Sequence, residues 1–132
     1  MNCLNGTISD VSSQNHLSIV TIDVMGIPMR AIVLDSPKTA DYLHEGSKVS
    51  VLFKETEVIL ALPGMRHISL QNKLVCTVTH IDKGKLLGKV VMNFKGTSIT
   101  SIVTARAVEQ LALEPGIEIL ALIKTNEVML SP

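Results

Sequence analysis

Laid over itself with a shift of seventy positions and no gap, the chain pairs Asn2 with Asn72, Leu4 with Leu74 and Thr7 with Thr77. The agreement continues through Leu17/Leu87, Val20/Val90, Gly26/Gly96, Ile32/Ile102, Val33/Val103, Leu43/Leu113 and Gly46/Gly116. It ends at Leu52/Leu122, Lys54/Lys124, Glu57/Glu127, Val58/Val128 and Leu60/Leu130, which makes fifteen identities among sixty pairs. Chance would supply about four, so the fold has to be one that can be written twice within 132 residues. The units expected are residues 1–62 and 66–132, joined where Leu62-Pro63-Gly64 interrupts the strand pattern.

Inside each unit the apolar residues alternate with a period near two, and many are β-branched, as in Leu74-Val75-Cys76-Thr77-Val78-Thr79-His80-Ile81. Strands are expected near Leu4–Val11, Leu17–Val24, Met29–Leu34, Lys48–Phe53 and Glu57–Leu62. Those of the second unit are expected near Leu74–Ile81, Leu86–Phe94, Ser98–Val103, Ile117–Lys124 and Glu127–Leu130. Asp82-Lys83-Gly84-Lys85 predicts a hairpin turn with Gly84 at positive φ.

Between the third and fourth strands the period lengthens. Ala105–Leu113 is rich in helix formers, with Thr104 as N-cap and Glu114-Pro115-Gly116 as the stop. Its counterpart, a helix over Lys38–Leu43, would begin behind Ser36-Pro37. Three strands, a short helix and two strands predict a mainly β chain of two tandem OB-like five-stranded β-barrels, each with one short helix.

Composition narrows the function. Twelve basic residues balance twelve acidic ones, and only Phe53, Phe94 and Tyr42 are aromatic. Single-stranded nucleic acid needs a basic groove and stacking platforms, so direct nucleic-acid binding is not expected. No apolar run approaches membrane-spanning length, and no charged leader with an apolar block follows Met1, so a cytoplasmic chain without a membrane anchor is expected. A neutral, strongly apolar chain (46% hydrophobic, mean hydropathy +0.38) built of units this small predicts a homo-oligomer.

Cys3 and Cys76 lack metal-ligand spacing, as do His16, His44, His67 and His80, so no bare-cation site is expected. No nucleophile–base pair, phosphate loop or carboxylate pair is present, so the chain is not expected to be an enzyme.

The second unit carries Ile68-Ser69-Leu70-Gln71-Asn72-Lys73-Leu74, Ile102-Val103-Thr104, Leu111-Ala112-Leu113-Glu114-Pro115-Gly116 and Ala121-Leu122-Ile123-Lys124. In order and spacing this resembles the molybdate-binding MOP family of the TOBE superfamily, whose pattern runs Ser-x-Arg-Asn-x-Leu-x-Gly, Val-Thr-x-x-Ser, Leu-x-Leu-x-x-Gly and Ala-x-Ile-Lys. Both units take part, so the resemblance is to a tandem MOP protein of the molbindin type. It implies binding of molybdate, or a similar tetrahedral oxyanion such as tungstate, between domains or subunits, for molybdenum storage, homeostasis or sensing.

Carried over by position, the resemblance makes Ser69, Gln71, Asn72, Thr104, Lys124 and Thr125 the oxyanion-binding residues, with Asn2 and Lys54 second to them. A tetrahedral dianion is held by N–H groups, hydroxyls and a fixed cation, away from carboxylates. The pattern is departed from where Gln71 stands for arginine, Cys76 for glycine and Ala107 for serine. The first unit has Met1 for arginine, Leu34 for threonine, and Glu55 behind Lys54.

Each residue also has a plainer reading. The two lysines can be strand-end lysines, Thr104 a helix cap, and the Ser69–Asn72 stretch a polar strand entry. The rival to anion binding is accordingly an oligomeric interaction module that has kept the fold and lost the ligand.

Overall fold

A computed structural model describes all of Met1–Pro132. The chain forms two curled five-stranded antiparallel sheets. The strands are β1 (Asn2–Gln14), β2 (Leu17–Val24), β3 (Ile27–Val33), β4 (Lys48–Phe53) and β5 (Ile59–Ala61), then β6 (Asn72–Lys83), β7 (Leu87–Phe94), β8 (Thr97–Thr104), β9 (Glu118–Ile123) and β10 (Met129–Ser131). The long first strand of each repeat serves two neighbours. Asn2 to Thr7 pairs with β4 and Thr7 to Gln14 with β2, with a bulge between Ile8 and Asp10 bending the strand from one partner to the other. β6 repeats this, with its bulge between Val78 and His80. The hairpins β2–β3 and β7–β8 turn on Met25-Gly26 and Lys95-Gly96, all four at positive φ, as a two-residue turn that follows the strand twist requires.

The sheet boundaries do not follow the repeat boundaries. The strand orders are β10-β4-β1-β2-β3 and β5-β9-β6-β7-β8, so each repeat gives its last strand to the other's sheet. Ile59, Leu60 and Ala61 lie opposite Leu122, Ala121 and Leu120. Met129, Leu130 and Ser131 lie opposite Leu52, Val51 and Ser50. The exchange merges the interiors: Leu4, Ile22, Phe53 and Val58 belong to one core with Leu74, Phe94, Ile119 and Val128. Units too small to bury enough surface separately share a single core.

The helices depart from expectation. The second repeat has one, α1 (Ala105–Gln110), capped by Thr104, whose Oγ1 accepts from the Ala107 N–H at 3.1 Å. The helix expected over Lys38–Leu43 is a series of turns. Leu34 stands at the cap position without a hydroxyl, and Pro37 replaces the Ala107 that donates to it, so neither half of the cap exists. The segment is tied down instead by Thr39, whose Oγ1 accepts from the Ser36 N–H at 2.9 Å. Each repeat also carries a 3-10 turn before its last strand, Glu55–Glu57 and Thr125–Glu127, so Glu57 and Glu127 close turns where the last strands were expected to begin.

Two glycines differ from expectation or pack closely. Gly84 is not at positive φ; its N–H closes the β6–β7 connection on Leu87 O at 2.8 Å. Gly88 is where α1 docks, since a Cβ there would lie 2.6 Å from Val108 Cγ2. Its counterpart Ser18 is fully buried and donates to Asp35 O at 2.6 Å, which anchors the turn segment that replaces the helix.

Candidate functional site

Antiparallel pairing of β6 with β9 sets Asn72 opposite Ile123, so the chain entering β6 meets the chain leaving β9. Ser69, Gln71, Asn72, Lys124 and Thr125 therefore gather at one end of the second sheet. Ser69, Gln71 and Lys124 are exposed, Thr125 is half-buried, and Asn72 is buried. Lys124 has extended backbone and opens the 3-10 turn, with its carbonyl accepting from the Glu127 N–H at 3.0 Å. Its ammonium enters neither of the two ion pairs of the structure, Met1–Glu55 and Lys83–Glu109.

Thr104 is not part of this group. It ends β8 opposite Leu87, while Gly88 lies opposite Lys83, at the end of β6 remote from Asn72. Its hydroxyl is engaged as the helix cap.

The side chain of Asn72 is committed as well. Its Oδ1 accepts from the Arg30 N–H at 2.7 Å and its Nδ2 donates to Arg30 O at 2.8 Å. Asn2 does the same to Thr100, with both contacts at 2.9 Å. The two asparagines act as clasps, each satisfying one residue of the outer edge of the opposite sheet as a further strand would. The 3-10 turns follow the same cross-over: Glu55–Glu57 packs on β8 and Thr125–Glu127 on β3. Ser101 Oγ adds a buried bond to Val58 O at 2.8 Å.

The clasp brings in a residue that spacing within a repeat could not reveal. Arg30, on β3 of the first repeat, lies directly across the clasp from Asn72. Its guanidinium makes no ion pair and no hydrogen bond to another side chain. An arginine thus stands beside the Gln71 segment although the motif position has none. At the counterpart clasp the residue is Thr100.

Carboxylates separate the two ends further. Glu55 beside Lys54 is bound to the Met1 amine at 2.8 Å, and that hydrogen bond holds its carboxyl below the usual range. Glu57 accepts from the Lys54 N–H at 3.0 Å. Near Lys124 stand Glu127 and, in contact with it, Glu57 of the other repeat. Desolvation raises the Glu127 pKa first, then a shared hydrogen bond and charge repulsion with Glu57, while Lys124 pulls the other way.

Cys76 occupies the family's glycine position and is buried, with its thiol pushed up to about 11 by desolvation. Its counterpart Gly6 could not take a side chain, since a Cβ would lie 2.5 Å from Ile22 Cγ2 and 2.8 Å from Asp23 O. Cys3 is exposed. A thiol reagent near about pH 8 is expected to modify one cysteine per native chain quickly and the second only on unfolding. Two fast thiols in the native chain would contradict the packing of Cys76.

Comparison with known proteins gives a consistent picture. The TOBE domain model matches residues 68–130. Molybdenum-pterin-binding protein MopA of Rhodobacter capsulatus is 39% identical over 64 residues, 48% of this chain and 24% of MopA. MopB of the same organism is 31% identical over 108 residues, 80% of this chain and 40% of MopB. The chain thus spans well under half the length of either protein. Molybdenum-pterin-binding protein 1 of Clostridium pasteurianum is 38% identical over 64 residues, which cover 94% of that protein. Among solved structures, the cytoplasmic molybdate-binding protein ModG with molybdate bound matches with a TM-score of 0.91 at 32% identity, covering 98% of this chain and 94% of that one.

Proposed function

The chain belongs to the TOBE-domain family of molybdenum-pterin-binding proteins, and from that premise we propose that it binds molybdate, or a similar oxyanion such as tungstate, without catalysing a reaction. The observation that carries this reading is the match of both repeats, over nearly their whole length, to a protein with molybdate bound. The ligand is held at the Lys124 end of the second sheet. Lys124 and Arg30 supply charge from the two repeats, and Ser69, Gln71 and Thr125 supply further donors. Asn72 holds the backbone of Arg30 at this end of the second sheet through its clasp. The Lys54 end is the poorer site, because Thr100 replaces Arg30 and Glu55 replaces Thr125. The role is storage, homeostasis or sensing of molybdenum in the cytoplasm.

Copies of the chain assemble through apolar side chains that one copy leaves open, among them Leu34 at 80% and Leu86 at 81% exposure. Light scattering at micromolar concentration is expected to give a mass above one chain, and a clean monomer would contradict the assembly.

Calorimetry with molybdate, tungstate, sulfate and phosphate tests the ligand. Heat with molybdate is expected; silence with all four would favour a module that keeps the fold without the anion. Lys124→Ala and Arg30→Ala are each expected to weaken binding by about tenfold or more, and Lys54→Ala by far less. Equal losses from Lys124→Ala and Lys54→Ala would refute the asymmetry between the two ends.

A further inference from the structure

Strand pairing lines up a row of polar side chains on the outer face of the first sheet. Thr7 lies opposite Asp23 on one side and Lys48 on the other, and Asn5, two residues back on β1, lies opposite Ser50. Side chains alternate between faces along a strand, and directly opposed residues share a face. Leu4, Ile22 and Val49 are buried in the core, so Asn5, Thr7, Asp23, Lys48 and Ser50 point outward. These five residues line a pocket of about 500 Å³, closed on one side by Pro132.

The pocket holds opposite charges that do not meet. Asp23 and Lys48 are exposed and sit on the strands either side of β1, roughly 10 Å apart at Cα across two interstrand spacings. Neither enters an ion pair, and Lys48 is not paired with the Pro132 carboxylate either. Ser50 Oγ reaches Asn5 Oδ1 only at 3.5 Å, beyond the range of a well-formed hydrogen bond. The same place in the second sheet is closed. Seventy positions on, Val75, Asn93, Glu118 and Leu120 stand for Asn5, Asp23, Lys48 and Ser50, which leaves no cation among them. Leu120 packs there with Ala61, Leu122 and Leu70 of the segment that joins the repeats. A solute with a single charge would meet a like charge in the first sheet's pocket as well as an opposite one. A solute carrying both charges matches both.

We infer that this pocket binds a small organic zwitterion, with its ammonium at Asp23, its carboxylate at Lys48, and the Thr7 hydroxyl and Asn5 amide between them. The separation of Asp23 from Lys48 suits charges several bonds apart rather than on one carbon. The pocket shares no lining residue with the Lys124 end, and the inference does not depend on molybdate binding.

The test is a titration of the isotope-labelled full chain with γ-aminobutyrate, followed by amide resonances, with butyrate and butylamine in parallel. Saturable shifts centred on Asn5–Thr7, Asp23 and Lys48–Ser50 are expected, with a dissociation constant of about 1 mM or tighter. Asp23→Asn and Lys48→Met, both at exposed positions, are each expected to weaken binding about tenfold, while Lys124→Ala leaves it unchanged. The inference fails if nothing saturates, if the shifts centre on Lys124, or if either pocket variant binds like the parent. Butyrate or butylamine binding as tightly as γ-aminobutyrate would overturn the zwitterion.

Discussion

Asn72→Ala is expected to be among the most damaging single substitutions in the chain, although it removes no apolar contact. The residue is buried, and both ends of its amide bond the backbone of Arg30 in the other repeat. Alanine would leave an N–H and a carbonyl without partners where water has poor access, at a cost of about 3 kcal/mol. For a domain of this size that lowers the melting temperature by about 10 °C. Asn72→Asp should be no better, because a carboxylate can accept from the Arg30 N–H but cannot donate to its carbonyl, and it buries a charge. If Asn72 served only as an exposed ligand, Asn72→Ala would abolish anion binding with an unchanged melting temperature, and that result would overturn the clasp. Asn2→Ala is expected to act in the same direction through Thr100.

The second large effect concerns the exchanged strand. Removing Val128–Pro132 cuts the second repeat but strips β10 from the sheet of the first. The loss comprises the buried Val128 side chain and the ladder bonds to β4, about 4 kcal/mol together. Hydrogen exchange should locate the damage: amides of Ser50–Leu52 lose protection, while those of Leu120–Leu122, in the cut repeat, keep theirs through β5. Should the truncated chain fail to fold, Val128→Ala is the milder probe, and its excess exchange should again appear in β4. Faster exchange in β9 with β4 unaffected would mean that each repeat keeps its own last strand.

These two effects mark the limit of what one repeat's sequence could disclose. Strand positions were legible because Leu17–Val24 and Lys48–Phe53 alternate cleanly between core and solvent, and a sheet with one buried face demands that pattern. The Thr104 cap was legible because its signal is local. The exchange was not, since Glu57–Leu62 and Glu127–Leu130 have the same pattern whichever sheet receives them. The grouping of the candidate site residues within one chain was hidden for the same reason. Thr104 shares a repeat with Lys124 but lies at the other end of β6, and Arg30 shares an end with Lys124 but comes from the other repeat. The missing helix at Lys38–Leu43 could have been anticipated, because Pro37 stands where the capped N–H is needed.

The exchanged last strands also bear on ancestry. A single-repeat forerunner folded in this way could complete its sheet only by trading strands with a second copy, so it would have been an obligate homodimer. Fusing two copies end to end turned that partnership into one polypeptide, and each half became free to change without forcing the same change on the other. An arginine at position 30 opposite a threonine at position 100, or a run of turns where the sister half keeps a helix, is open to a fused pair and closed to a symmetric dimer.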